Sequence, residues 1–485
     1  MYSHREWSTR LTLLECSPQR GRSAKTLSAG AGLSVKREKK TVAASRTRAP
    51  LQPRGRRFRY SNESHSRLTH YLFRYPAKFH PPVARALIEQ FSSPGDLVLD
   101  PFCGSGTVFV EAMTLNRNCV GVDVDPVAAF IARVKTQRLP GPAIKRSGDR
   151  LSRVLLPIRR PDSEYERRQF VDITPDTYRK AVRRYDLSIP KIPNLFHWFR
   201  RYVIIDLARI RTAIESLDTP STHRDFLMLC FASIIRASSN ADPVPVSGLE
   251  VTSHMKGRDE AGRIINPFTL MEKQLSRMLA DMEQFYEATA QTESWTVTRC
   301  GDAANLRRHM RRTVDVVITS PPYHNAVDYY RRHTLEMYWL GLTTDHEDRL
   351  RLLPKYIGRT TVSQSHPYVR DEQLPAGLAR HWESTLEKTS KPRAHAFKHY
   401  VISMSRVMDQ LAARLHPKSL AVFVLGKNSW NGRQLPTTEL FRQMSAKNFR
   451  LVDRYWYPVK NRYMSYDRHN DASIDREFVL VLERR

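Results

Sequence analysis

The stretch Val98-Leu-Asp-Pro-Phe-Cys-Gly-Ser-Gly-Thr107 concentrates the residue types best able to hold a ligand against backbone. An apolar run, Leu97–Leu99, reads as a short buried strand. The chain then turns through Gly104 and Gly106 and enters a helical pattern from Val108 to Leu115. That order puts a helix N-terminus over the carboxyl edge of a sheet, where open α/β sheets bind ligands. A second apolar run, Cys119–Val122, ends in Asp123, about 23 residues beyond Asp100 and close to the roughly 20-residue offset at which such folds hold a ribose hydroxyl. The chemistry implied is recognition of a nucleoside. No Gly-Lys-Ser/Thr follows the turn, so it is not a nucleotide-hydrolysing loop.

Far downstream, Val314-Asp-Val-Val-Ile-Thr-Ser-Pro-Pro-Tyr323 is another apolar strand ending in a turn. Together the two motifs resemble those of the S-adenosylmethionine-dependent DNA methyltransferases that modify exocyclic amines, N4 of cytosine or N6 of adenine. The resemblance implies a class I, Rossmann-like α/β sheet with S-adenosyl-L-methionine as cofactor. Cofactor contacts are then expected at Asp100, Phe102, Gly104, Ser105, Gly106 and Thr107 of the turn. Asp123 can accept both ribose hydroxyls, because an ionised carboxylate offers two acceptor oxygens. In the family a Pro-x-Lys-Phe-x-Pro segment packs on the methionine end of the cofactor, which points to Lys78, Phe79 and Pro81 here. Asp302, at the next strand end, corresponds to the acceptor for the adenine amine, with a turn or helix-cap role as the plainer alternative.

The catalytic segment by resemblance is Ser320, Pro321, Pro322 and Tyr323. An exocyclic amine is a poor nucleophile because its lone pair is delocalised into the base. Acceptors at Ser320 Oγ and the Pro321 carbonyl would pull the nitrogen towards tetrahedral geometry, and proline suits this by fixing φ and removing an amide donor. Tyr323 would stack on the flipped base, worth roughly 1–3 kcal/mol. His324, Asn325 and Asp328 follow directly and are candidates for the base pocket. Serine at the first position leans towards cytosine N4 in the family, with adenine N6 still open. No cysteine nucleophile is required, and Cys103 reads as a small packing residue.

The elements that must position these residues follow in order. Residues 1–57 are rich in Arg, Lys, Ser and Thr, without periodicity, and read as a disordered basic arm. Order is expected from about Tyr60, with the first part of the methyltransferase domain at 58–138. From 139 to 294 the pattern turns helical, an inserted module and a candidate for reading DNA through its aromatic–arginine stretch at 192–240, with plain helical packing as the competing reading. The second part, 295–485, carries the catalytic half and a polar insertion at about 343–393, a second candidate place for target recognition, then a helix at 395–415, a strand at 420–425 and a closing antiparallel pair at 451–457 and 477–482.

Bulk composition narrows the partners. Lys and Arg number 79 against 49 Asp and Glu, a formal charge of +30, which favours a polyanion. Double-stranded DNA is the expected partner, along with a cognate restriction or defence component; two alternatives are an RNA amine methyltransferase and a non-catalytic nucleic-acid binder. Five scattered cysteines show no zinc or disulfide spacing. With no apolar signal core either, a cytoplasmic, nucleoid-associated protein is expected.

Overall fold

A computed structural model describes residues 55, 57–61, 67–243, 248–324, 329–430, 433–459 and 476–485. Its centre is a seven-stranded sheet: β1 (Leu97–Asp100), β2 (Asn118–Asp123), β3 (Thr296–Cys300), β4 (Val314–Thr319), β5 (Leu415–Gly426), β6 (Phe449–Pro458) and β7 (Arg476–Arg484). The order is β3-β2-β1-β4-β5-β7-β6. The first five strands are parallel, and β7 runs antiparallel between β5 and β6. This is the class I methyltransferase sheet. The strand order reverses between β1 and β4, the crevice where open sheets take their ligands.

Side chains alternate along the central strands, so each feeds two cores. Val98, Val316, Ile318, Val422 and Val424 pack on one side with α1 (Pro81–Phe91) and α2 (Thr107–Thr114). Leu99, Val317, Phe423 and Leu425 pack on the other with α9 (Lys391–Ala412) and α10 (Thr437–Ser445). Both faces are covered, which is why these strands read as continuous apolar runs.

Between β2 and β3 the chain makes α3 (Pro126–Lys135) and then a helical insertion built on α4 (Gly141–Leu155), α5 (Arg201–Ser216), α6 (Ser221–Ser238) and α7 (Pro267–Thr289). Its core also takes in Leu68, Leu72 and Phe73 ahead of α1, and Leu335 and Trp339 of α8 (Thr334–Trp339). The aromatic–arginine stretch is largely internal. Phe199, Tyr202, Phe226 and Phe231 are buried. Arg200 donates to the carbonyls of Arg168 and Gln169 at 2.9 Å and pairs with Asp259 at 3.0 Å. For these residues helical packing is what the structure shows.

The structure adds detail to the sequence expectation at several places. Phe58 is sealed against Tyr455, and the amides of Gly55 and Phe58 donate to β6 carbonyls at 2.7 Å, so ordered contacts start before Tyr60. The rest of the basic arm lies outside the described residues. β5 begins at Leu415 rather than 420, through a register shift against β4. The polar stretch 343–393 folds into short helices that bury Tyr356, Ile357, Val369 and Leu374. Helix α10 and the small hairpin Asn428–Trp430 with Arg433–Leu435 carried no signal strong enough to predict.

Candidate active site

The glycine turn is shaped by the two acids at the strand ends. Burial pushes the carboxyls of both Asp100 and Asp123 up to about 7, the neighbouring Asp125 adding to the second. Asp100 accepts from Thr319 Oγ1 at 2.6 Å and the Phe102 amide at 3.1 Å, tying β1 to the residue just before Ser320. Asp123 Oδ2 accepts from the Gly104 amide at 2.8 Å, and its Oδ1 from the Asp125 amide at 2.9 Å. The carboxylate thus holds the turn open while each oxygen keeps a further lone pair.

The two glycines do different work. Gly104 has φ +48 and lines the cleft, so its backbone can approach a ligand closely. Gly106, at φ +75, faces away. A Cβ there would lie 2.9 Å from Ala132 Cα, so this glycine serves the packing of α2 on α3 rather than a ligand contact.

A cleft open to solvent runs along these groups. Of the residues expected at the cofactor, Lys78, Phe79, Asp100, Phe102, Gly104, Ser105, Thr107, Asp123 and Asp302 line it. Ser320 and Pro322 of the catalytic turn line the same cleft. Gly106, Pro81, Pro321 and Tyr323 are not on its wall; Pro81 is buried as the first residue of α1. Asp302 borders the cleft and caps the following turn, accepting from the Ala304 amide at 2.8 Å and Asn305 Nδ2 at 2.9 Å. Cys103 is buried there, its thiol pushed well up by burial, and stays protonated.

The lid segment is bolted to the turn by two lysines. Lys135 is fully buried and donates to the Ser105 carbonyl at 2.7 Å and the His70 carbonyl at 3.4 Å. Lys78 donates to the same His70 carbonyl at 3.1 Å and lies over the Tyr71 ring. Burial lowers the Lys78 ammonium to about 8. Asp125, which caps α3, also accepts from or shares a proton with His333 Nδ1 at 2.9 Å, and that ring packs on Tyr75, another residue of the cleft.

Around the catalytic turn the packing is close. The Tyr323 hydroxyl donates to Glu477 Oε1 at 2.9 Å, and Tyr457 donates to the other oxygen of that carboxylate. A Cβ on Gly426 would come within 2.4 Å of the Tyr323 ring. Tyr400 donates to the Pro322 carbonyl at 3.2 Å, which occupies that oxygen. His324 packs against Phe397 and Tyr400, outside the cleft lining, and burial lowers it to about 4, leaving it neutral. Asn325 and Asp328 lie outside the described residues. Gly426→Ala is expected to displace the Tyr323 ring and lower kcat by up to about 10²-fold, a cost of the order seen for ångström-scale misplacement. Isothermal titration should find cofactor affinity unchanged.

Two strand-end turns opening on one cleft is the arrangement that amine methyl transfer requires. Sequence comparison agrees with it. A family model described as DNA methylase matches residues 28–133. The chain is 23% identical over 451 residues to the Type II methyltransferase M.MvaI of Kocuria varians, covering 87% of this chain and 93% of that one. It is 23% identical over 435 residues to the Type II methyltransferase M.BsoBI of Geobacillus stearothermophilus, covering 81% and 80%. These likenesses support an S-adenosylmethionine-dependent DNA amine methyltransferase. A shorter likeness, 39% over 54 residues (11% of this chain and 16% of the other), links the methyltransferase to a tRNA (guanine(10)-N2)-dimethyltransferase of Methanothermobacter thermautotrophicus.

The cleft fits the cofactor that this family uses. Ser105 Oγ, Thr107 Oγ1 and the Tyr356 hydroxyl are buried without a hydrogen-bond partner among the described residues, and all three residues line it. Such hydroxyls suit a nucleoside bearing an amino acid. Tyr75, Tyr329, Lys355, Tyr356 and Ile357 complete the wall of the methyltransferase and carried no local sequence signal.

Proposed function

We propose that the protein is a site-specific DNA methyltransferase acting on the exocyclic amine of a flipped base, with cytosine N4 preferred over adenine N6. The observation that carries this is Ser320 on the wall of the cleft that also holds Gly104 and Asp123. When bound, S-adenosylmethionine supplies an electrophilic methyl on a sulfonium. Asp123 and the Gly104 backbone hold its nucleoside, and Lys78 and Phe79 border the far end. Ser320 Oγ and the Pro321 carbonyl accept the two amine hydrogens, freeing the nitrogen lone pair for in-line attack. Tyr323, fixed by Glu477 and Gly426, offers its ring to the base.

Extruding a paired base costs a few kcal/mol, which phosphate contacts must offset. We assign those contacts to the helical insertion, whose outward helices 141–155 and 175–184 expose Arg146, Arg150, Arg153, Arg179, Lys180 and Arg183. Affinity for duplex DNA is expected to fall by roughly 10³-fold or more between about 50 and 200 mM salt. A flat dependence in a fluorescence-anisotropy titration would show that the +30 charge is not used in this way.

The deciding experiment offers labelled S-adenosylmethionine with duplex DNA and, side by side, RNA, then identifies the methylated nucleoside by mass spectrometry. N4-methylcytosine from DNA is expected. N6-methyladenine would overturn the base preference, and label in RNA alone would overturn the DNA reading in favour of the RNA enzyme suggested by the short likeness above.

A further inference from the structure

The polar insertion supplies one wall of the cofactor cleft. Leu353–Lys355 form a single 3-10 turn, and Tyr356 follows with extended backbone, φ −74 and ψ 121. Lys355, Tyr356 and Ile357 reach the cleft, and Tyr356 is only 4% exposed. Its ring stands edge-on to Tyr330, centroids 5.5 Å apart, and the Arg349 guanidinium lies 4.1 Å from the Tyr330 ring centre. Two residues on, Gly358 has φ +86, and a Cβ there would sit 3.0 Å from the Tyr323 carbonyl oxygen. The segment is therefore pinned at both ends, on Tyr330 and on the catalytic turn, and the Tyr356 side chain is held in one place before any ligand arrives.

What the hydroxyl does there is unaccounted for by the protein. It is buried, has no hydrogen-bond partner among the described residues, and feels the charges of Asp125 and Asp123. A phenol in such a site stays protonated and is a donor in search of an acceptor. The Asp123 carboxylate marks where the ribose is held, and ribose hydroxyls and purine nitrogens are acceptors.

We propose that Tyr356 is a cofactor-binding residue that donates its hydroxyl to the nucleoside half of S-adenosylmethionine. The inference rests on the cleft being the cofactor site. It makes the polar insertion part of the cofactor machinery rather than a free-standing recognition element.

The test is isothermal titration of the full chain with S-adenosylmethionine and with S-adenosylhomocysteine, comparing wild type and Tyr356→Phe. The variant is expected to bind both ligands about tenfold more weakly, while its ligand-free Tm stays level or rises, since a buried unpaired hydroxyl has been removed. Equal affinity in variant and wild type would overturn the inference. So would a loss of affinity accompanied by a lowered ligand-free Tm, which marks a packing role, or a loss for one ligand only, because both share the nucleoside. Failure of the wild type to bind either ligand would overturn the cofactor assignment of the cleft itself, and this inference with it.

Discussion

Ser320→Ala is expected to lower kcat by about 10²–10³-fold, the range found when one preorganised polar contact to developing charge is removed. The expectation follows from where the residue sits. Ser320 directly follows β4, its predecessor Thr319 is tied to buried Asp100 at 2.6 Å, and Ser320 borders the cleft. Alanine preserves the backbone and the Thr319 contact, so Tm and S-adenosylmethionine affinity should hold while single-turnover methyl transfer slows. Activity within a few-fold of wild type would rule out the hydroxyl as an acceptor for the amine.

Asp123→Ala is expected to weaken S-adenosylmethionine binding at least 10²-fold, since hydrogen bonds to a charged group contribute about 1.5–3 kcal/mol each. The loss is compounded because Asp123 also anchors the Gly104 amide. Its carboxyl is held up to about 7 by burial, and accepting ribose hydroxyls favours the ionised form. Affinity should therefore climb as pH rises from about 6 to 8 in the wild type, and Asp123→Asn should flatten that dependence. The sign for the ligand-free fold is opposite. A raised carboxyl stabilises the folded chain below its unfolded value of about 4, and that contribution is lost as pH rises through about 7. Calorimetry at two pH values in buffers of different ionisation heat would measure the proton released on binding.

Legibility followed the range of the interactions. The turns at 100–107 and 320–323 could be read because each is a buried strand followed at once by turn residues, a signal carried within a dozen positions. The closing pair β6 and β7 showed through its apolar strings, although Glu477 at the start of β7 looked like an ordinary strand-edge acid. Tyr457 faces it across the antiparallel pair, but Tyr323 reaches it from 154 residues away, which no periodicity reports. Tyr356 was hidden for the same reason, inside a stretch whose polarity suggested a surface excursion. Gly106 could not be told apart from Gly104, because a glycine that lets a helix approach and one that lets a ligand approach look alike in a sequence. Aromatics among arginines at 192–202 suggested a nucleic-acid face. Phe199 and Tyr202 fill a core and Arg200 braces neighbouring loops, while Phe196 stays half exposed beneath the Arg201 guanidinium, so both readings find residues here.

The lid ahead of α1 rests its apolar side on the helical insertion. Leu68, Leu72 and Phe73 share that core, and Arg67 reaches Asp281 of α7 at 2.6 Å. With the DNA contacts proposed for this insertion, a change of target preference that remodels α7 is expected to loosen the grip on the methyl donor as well. Laboratory evolution for new sites should succeed on the module's outer helices and stall on the side that props up the lid, so exchanging whole modules between relatives will require moving residues 67–73 along with them.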